Sequence, residues 1–255
     1  MGKKRKPAWP ADAPAQLLVL SGAGLSAESG LATFRDQGGL WDGHDPMAVA
    51  NAASWKRNFD LVHAFYNTRR QELATVTPNA AHRALAAWQD RFRLTNLTQN
   101  CDDLLERAGC REVHHLHGRL RDMRCAACGH LWDVGYTAFA GGEDRCPRCN
   151  SRKGVRPGLV MFGDEAPLYR LMYRALDALR ARDTFVVIGT SGEVLPVFEM
   201  ARRTRALSLL CNLETPADPR DREGFDLILT GPATKTLLAA QELLEAHLGD
   251  RPVVD

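Results

Sequence analysis

At 255 residues, 45% hydrophobic and 25% charged, with a formal net charge of +2, the chain is long enough for one large core and a small inserted domain. Its apolar runs fall far short of the ~20 residues that span a bilayer, and the basic start Lys3-Lys4-Arg5-Lys6 is followed by Pro7, Pro10, Asp12 and Pro14 instead of a signal-peptide core. A cytoplasmic protein without membrane contact is expected, and the charge is too small to argue for nucleic acid.

Residues 1–15 read as a flexible basic lead-in and residues 16–20 as the first buried strand. Ser21 to Gly30 follow, and Gly22, Gly24 and Ala27 fit G-x-G-x-x-G/A. An apolar run ending in glycines, with small and polar residues that can open a helix, presents backbone N–H groups to a phosphate. The plainer alternative is a tight strand-to-helix turn with no ligand. A dehydrogenase would hold its ribose on an acidic strand end about 20 residues on. Here Asp42 and Asp45 lie in a Gly/Pro-containing loop, so hydride transfer is not indicated.

Residues 31–46 form a long loop of the kind that often serves as a lid. Helical patterning covers residues 60–72, where Tyr66 and Arg69 share a face, and residues 79–90. Residues 92–98 alternate as a strand that ends in Thr98-Gln99-Asn100-Cys101-Asp102, polar groups where open α/β sheets place ligand chemistry. A short helix over 103–108 leads to His114, His115 and His117-Gly118. Residues 120–155 are rich in cysteine and glycine and poor in large apolar residues. The α/β pattern then resumes: an apolar run over 159–164, a helix with one apolar stripe over 168–179, and a buried strand over 184–188 capped by Gly189-Thr190-Ser191-Gly192. Strands over 207–210 and 225–229 and a terminal helix over 232–248 complete it. Strands alternating with helices imply a doubly wound parallel sheet.

Four of the seven cysteines form two pairs, Cys125-x-x-Cys128 and Cys146-x-x-Cys149, separated by 17 residues. Two such knuckles suit one tetrahedral four-thiolate Zn2+, a closed site and therefore structural. Disulfides fit poorly in a chain with no secretion signal.

Taken together, these motifs resemble the sirtuins, the NAD-dependent protein deacylases, over about residues 17–248. The resemblance rests on Gly22-Ala23-Gly24-x-Ser26-Ala27-x-Ser29-Gly30, Phe34-Arg35, Thr98-Gln99-Asn100-x-Asp102, His117-Gly118, the two cysteine pairs, Phe162-Gly163, Gly189-Thr190-Ser191 and Asn212, in that order. It implies an α/β, Rossmann-like NAD-binding domain (residues 16–119 and 156–249) with an inserted zinc-ribbon domain (residues 120–155). The cleft between them would hold NAD and an acyl-lysine peptide. In this family the acyl oxygen attacks the nicotinamide ribose as nicotinamide leaves. A histidine then accepts a proton from a ribose hydroxyl, and lysine, nicotinamide and O-acyl-ADP-ribose result.

By the same resemblance His117 is the base, a role suited to an imidazole that titrates near working pH. Its plainer reading, a polar residue at a strand end, does not account for the surrounding motifs. Asn100 orders the ribose and a water, Asp102 bonds the nicotinamide carboxamide, and Gln99 contacts the nearby ribose. Phe34 and Arg35 belong to the cofactor loop. Gly22, Ala23, Gly24, Ala27, Gly189, Thr190 and Ser191 line the diphosphate and adenosine part, with Asn212, Leu213 and Ala233 toward the adenine side. Val160, Phe162, Gly163 and Val194 seat the acyl-lysine substrate as an added strand. Tyr66 and Arg69 match the Tyr-x-x-Arg by which one branch of the family binds the carboxylate of succinyl- and malonyl-lysine, and Ala50 falls where that branch keeps a small residue. A guanidinium fork beside a phenol suits a carboxylate, although an ordinary amphipathic helix with a solvated arginine is the simpler reading of that pair. Removal of acetyl and of succinyl or malonyl groups is therefore expected, with ADP-ribosyl transfer to protein as the alternative and a nucleic-acid-binding zinc ribbon as a lesser one. A monomer is expected. Cys101, Leu105, Gly158 and Asp164 depart from the family pattern.

Overall fold

The computed structural model describes residues 15–32, 43–141 and 143–248; Phe34 and Arg35 fall outside them. In chain order the elements are β1 (Gln16–Ser21), α1 (Pro46–Val49), α2 (Phe59–Thr75), α3 (Ala80–Trp88), β2 (Arg93–Thr98), α4 (Leu104–Arg107), β3 (Val113–His115), β4 (Gly118–Cys125), β5 (Leu131–Asp133), β6 (Val155–Leu159), α5 (Tyr169–Ala178), β7 (Thr184–Ile188), α6 (Val197–Arg203), β8 (Leu207–Asn212), α7 (Pro219–Arg222), β9 (Leu227–Thr230) and α8 (Ala233–Leu248). Among the described residues no helix is long and apolar enough to cross a membrane.

Six strands form one sheet in the order β3-β2-β1-β7-β8-β9, and every adjacent pair runs parallel. Successive strand residues point to opposite faces, so each strand feeds two cores. Leu17, Val19, Val186, Ile188 and Leu209 pack with Leu85 and Trp88 of α3 and Leu237 and Leu244 of α8. Leu18, Leu20, Phe185, Val187 and Leu210 pack with Met172 and Leu176 of α5 and Val197 and Met200 of α6. All five residues of β7 are buried, as a β-branched central strand covered on both faces should be. The strand order reverses between β1 and β7, and at such a switch point the loops leaving the carboxyl ends diverge and open a crevice.

A second, antiparallel sheet runs β5-β4-β6. Its register shifts between Gly118 and Met123, where the backbones come too close for side chains: a Cβ on Gly158 would lie 2.7 Å from Asp122 Cβ. This explains why glycine stands at 158. The small core here consists of Met123, Cys125, Phe139, Cys146 and Val155. A further cluster joins α1 and α2 to the end of β6 through Val49, Trp55, Phe65, Tyr66, Leu159 and Met161.

One local expectation is corrected. The segment after Gly22 does not open a regular helix; it makes two 3-10 turns, Ala23–Leu25 and Ala27–Ser29, ended by Gly30 at φ +94. The backbone is held elsewhere, because Gly22 N–H donates to Ile188 O at 2.8 Å and Gly24 N–H to Gly189 O at 2.8 Å. The long loop ends in the four-residue α1, capped by Asp45 accepting from Met47 N–H at 2.9 Å.

Candidate active site

The switch point is closed by glycines. A Cβ on Gly24 would sit 2.7 Å from Gly189 Cα, and one on Gly22 would sit 2.8 Å from Gly189 O. Only bare backbone lets the ends of β1 and β7 meet so closely. Gly189 N–H donates to Cys211 O and Gly231 N–H to Asn212 O, each at 2.9 Å, so the ends of β8 and β9 join the same row. Gly22, Gly24, Gly189, Thr190, Ser191, Asn212 and Leu213 are thus gathered along one edge of the sheet, with Ala27 in the second 3-10 turn and Ala233 opening α8. Leu213 is exposed and Ala233 buried.

Beside this edge, Ser21 and Thr98 are both fully buried, and Ser21 Oγ donates to Thr98 Oγ1 at 2.9 Å. Thr98 Oγ1 in turn accepts from Asn100 N–H at 3.0 Å, and Gln99 N–H donates to Ser21 O at 2.9 Å. These bonds fix the polar segment after β2 to the end of β1. Gln99 Nε2 donates to Thr190 Oγ1 at 3.1 Å, crossing the switch point.

Ser26, a residue of the glycine motif to which the sequence assigned no separate role, ties this segment together. Its hydroxyl donates to Asp102 Oδ2 at 2.8 Å and accepts from Asn100 Nδ2 at 3.1 Å. Asp102 Oδ1 accepts from Leu104 N–H at 3.1 Å. Burial pushes the Asp102 carboxyl upward, with the bonds from Ser26 and Leu104 opposing. Behind Ser26 lies His82, 3.4 Å away and fully buried in the capping box of α3. Desolvation, helped by nearby Arg83, lowers its pKa to about 4, so it is neutral.

His117 follows β3 and immediately precedes β4, the first strand of the second sheet. Its Nδ1 lies 3.1 Å from Gln99 O and its Nε2 lies 2.8 Å from the Tyr169 hydroxyl. A carbonyl only accepts, so Nδ1 carries the proton, and Nε2 keeps a lone pair to accept from Tyr169. Burial lowers the His117 pKa, with the Gln99 carbonyl opposing. The ring is therefore a neutral base at neutral pH, with its free nitrogen facing the cleft. Neighbouring His115 is different. Nδ1 faces Asn100 O at 2.8 Å and Nε2 faces Glu106 Oε1 at 2.7 Å, so both nitrogens meet acceptors. Burial opposes its charge, but the Glu106 carboxylate, the Asn100 carbonyl and Asp102 together outweigh it and the pKa is raised. No motif pointed to Tyr169, which reaches His117 from the first turn of α5.

A cleft of about 500 Å³ runs from these groups to α2. It brings together Ala23, Gln99, Asn100, Asp102 and His117 with Ala50, Tyr66, Arg69, Val160, Phe162, Gly163 and Val194. Of the other expected nucleotide residues, those the structure describes, Gly22, Gly24, Ala27, Gly189, Thr190, Ser191, Asn212, Leu213 and Ala233, lie at the sheet edge instead. Tyr66 and Arg69 are buried, and the guanidinium lies 5.1 Å over the Phe65 ring. Burial pushes the Tyr66 phenol upward, with Cys101 adding and Arg156 opposing. Cys101 is held near 12 by burial and then by Asp102, so its thiol is an inert apolar wall. Phe162 and Val194 are exposed apolar side chains at the rim.

The segment after β6 is pinned from two directions. Phe162 N–H donates to Ala50 O at 2.8 Å and Phe162 O accepts from Ala52 N–H at 2.9 Å, a parallel bridge between Asn51 and Phe162. Asp164 Oδ2 accepts from Met161 N–H at 2.9 Å and pairs with buried Arg156. The aspartate at 164 thereby closes the turn on itself. Leu105, another departure, fills the core under α3.

The four cysteine sulfurs lie within 4.8 Å of one another, with Cys125–Cys149 at 3.6 Å and Cys128–Cys146 at 3.7 Å. Thiolates about 2.3 Å from a tetrahedral zinc stand about 3.8 Å apart. The site fits Zn2+ with no ligand position left over.

Comparison with known proteins agrees with this geometry. Residues 22–196 match the model of the Sir2 family. An NAD-dependent protein deacylase of Helicobacter hepaticus is 41% identical over 252 residues, covering 90% of this chain and 97% of that protein. One from Caulobacter vibrioides is 43% identical over 241 residues, covering 91% and 98%. Among solved structures, a Sir2 homologue in complex with NAD superimposes with a TM-score of 0.77 at 32% identity, covering 92% of this chain and 91% of that one. A Sir2 variant solved with a deacetylated p53 peptide and 3'-O-acetyl ADP-ribose gives 0.69 at 25% identity, covering 89% and 93%.

Proposed function

This chain belongs to the Sir2 family, and from that premise we propose that it removes acyl groups from protein lysine side chains while consuming NAD. The observation that carries the reading is the orientation of His117, whose proton on Nδ1 is committed to Gln99 O and whose free Nε2 faces the cleft. The residues present fit the dinucleotide: glycine backbone at the switch point, with Ala23, Gln99, Asn100 and Asp102 between it and the base. NAD, when bound, supplies the electrophilic ribose carbon and nicotinamide as the leaving group.

The chain's own residues do the rest. Asn100, held by Ser26 and by its own N–H to Thr98, is a fixed donor and acceptor for the ribose end. Asp102, braced by Ser26 and Leu104, offers its carboxyl to the carboxamide. His117 Nε2 exchanges its bond from Tyr169 for one from a ribose hydroxyl and takes that proton as the acyl group is captured. The acyl-lysine enters as an extended strand between residues 160–163 and Val194. The backbone of Phe162 is already engaged with residues 50 and 52, so Phe162 contributes its exposed ring. Cys125, Cys128, Cys146 and Cys149 hold a structural Zn2+, and residues 120–155 form the inserted module it organises.

Tyr66, Arg69 and small Ala50 are buried and line the same cleft, which supports acidic acyl groups as substrates beside acetyl. ADP-ribosyl transfer to protein is not favoured, since the relatives carry the deacylase name.

Matched acetyl-lysine and succinyl-lysine peptides, with and without NAD, test the reading by mass spectrometry of the products. Loss of both acyl groups only with NAD, with His117→Ala lowering the rate by about 10²–10⁴, is expected. Nicotinamide release with neither peptide deacylated overturns it. The rate also depends on pH in a fixed sense. The base works deprotonated, so activity is present at neutral pH and is lost as pH falls through the lowered His117 value.

A further inference from the structure

Arg69 carries a second relationship that its expected role does not require. One turn along α2, Glu72 also lines the cleft, and its carboxylate accepts from Arg69 Nη1 with both oxygens, at 3.1 and 2.8 Å. The two partners differ sharply in exposure: the Arg69 side chain is 9% exposed and that of Glu72 is 46%. A guanidinium that deep in an apolar wall needs an anionic partner, because a buried charge without one is costly. A carboxylate half in water can leave at little cost, since its solvation is already largely in place.

We propose that Glu72 is a specificity-determining residue, an internal carboxylate that holds Arg69 in the free enzyme and that the carboxylate of an acidic acyl group must displace. This rests on the reading that Tyr66 and Arg69 face the acyl end of the cleft. With the pair closed, the inner wall is electrically neutral and is formed by Ala50, Phe65, Tyr66, Leu120 and Met161, which suits acetyl and other uncharged acyl chains. With the pair open, the same guanidinium receives a dicarboxylic acyl group, and Glu72 turns into solvent. One pocket therefore serves two classes of acyl group, and Glu72 sets the balance between them.

The experiment measures kcat/KM on succinyl-lysine and acetyl-lysine versions of one peptide and follows their ratio. The enzymes are the parent, Glu72→Gln, Arg69→Met and the double variant. Glu72→Gln keeps the side-chain length at a half-exposed position, so folding is preserved. The expected result is a rise of roughly fivefold in the succinyl-to-acetyl ratio, the order of magnitude of one partly exposed ion pair, and it appears in KM for the succinyl peptide. In the double variant the effect of Glu72→Gln disappears, because its target is gone. If Arg69→Met lowers the ratio and Glu72→Gln leaves it unchanged, the role of Glu72 is overturned while the acyl-pocket reading stands. If the ratio ignores both substitutions, the acyl-pocket reading fails and the proposal falls with it. A Glu72→Gln effect that persists in the double variant also overturns it, because Glu72 then acts without Arg69.

Discussion

The two sheets of this molecule are built on different principles. The parallel sheet is covered on both faces by helices, and its strands contribute alternate residues to two continuous apolar cores. The small core packed against the antiparallel sheet has five buried apolar residues, two of which are cysteines of the sulfur cluster. The large sheet is therefore stabilised by burial and the small one by coordination, yet His117 sits between them, one residue before β4 begins. Chemistry placed at such a junction inherits the stability of the weaker side.

The comparison breaks most completely by removing zinc. Structural sites of this type contribute about 10–16 kcal/mol of binding free energy that is also folding free energy. Chelation, or Cys146→Ser, should abolish turnover and expose the amides of β4 to β6 to hydrogen exchange, while those of β1, β7 and β8 stay protected. Loss of protection throughout would show that the two sheets fold as one unit. The second effect is confined to the large sheet. His82 binds its proton near pH 4 in the fold and near 6.5 in the unfolded chain, so its contribution is complete above pH 6.5 and is lost as pH falls toward 4. That contribution is roughly 3 kcal/mol. Urea unfolding at several pH values should show the loss, and His82→Gln should flatten it.

Gly24→Ala comes next, at about 2 kcal/mol of stability, since its methyl group must push Gly189 away from 2.7 Å. Thermal unfolding should register the loss together with weaker NAD binding, read by calorimetry. The smallest effect is expected from Tyr169→Phe. Removing the hydroxyl that bonds the neutral form of His117 should move the acid limb of the pH-rate profile upward, with little change in the thermal midpoint.

Much of this was legible in the sequence because strands of parallel sheets are nearly continuous apolar runs. The reading of 184–188 coincides with β7, and polar residues after such runs mark the edge where the cleft lies. The cysteine spacing likewise foretold the sulfur cluster. Less accessible was anything that depends on which residues meet across the fold. Tyr169 belongs to no motif and reaches His117 only because α5 docks against the same sheet. The turns after Gly22 replaced a helix because the N–H groups of Gly22 and Gly24 bond to Ile188 and Gly189, at the end of a strand more than 160 residues away in the chain. Glu72 was within reach, since it lies three positions after Arg69 on one helix face. Its exposure, which gives the pair its asymmetry, is a property of the packed molecule.

The parallel bridge between Asn51 and Phe162 carries a further consequence. Ala50, to which the proposed function gives the acyl end, and residues 160–163, to which it gives the peptide, share a rung of backbone hydrogen bonds. Enlarging one therefore displaces the other. On the proposed function, selectivity for what is attached to the lysine and selectivity for the residues that flank it are then mechanically linked traits, and an evolving or engineered chain would have to change them together.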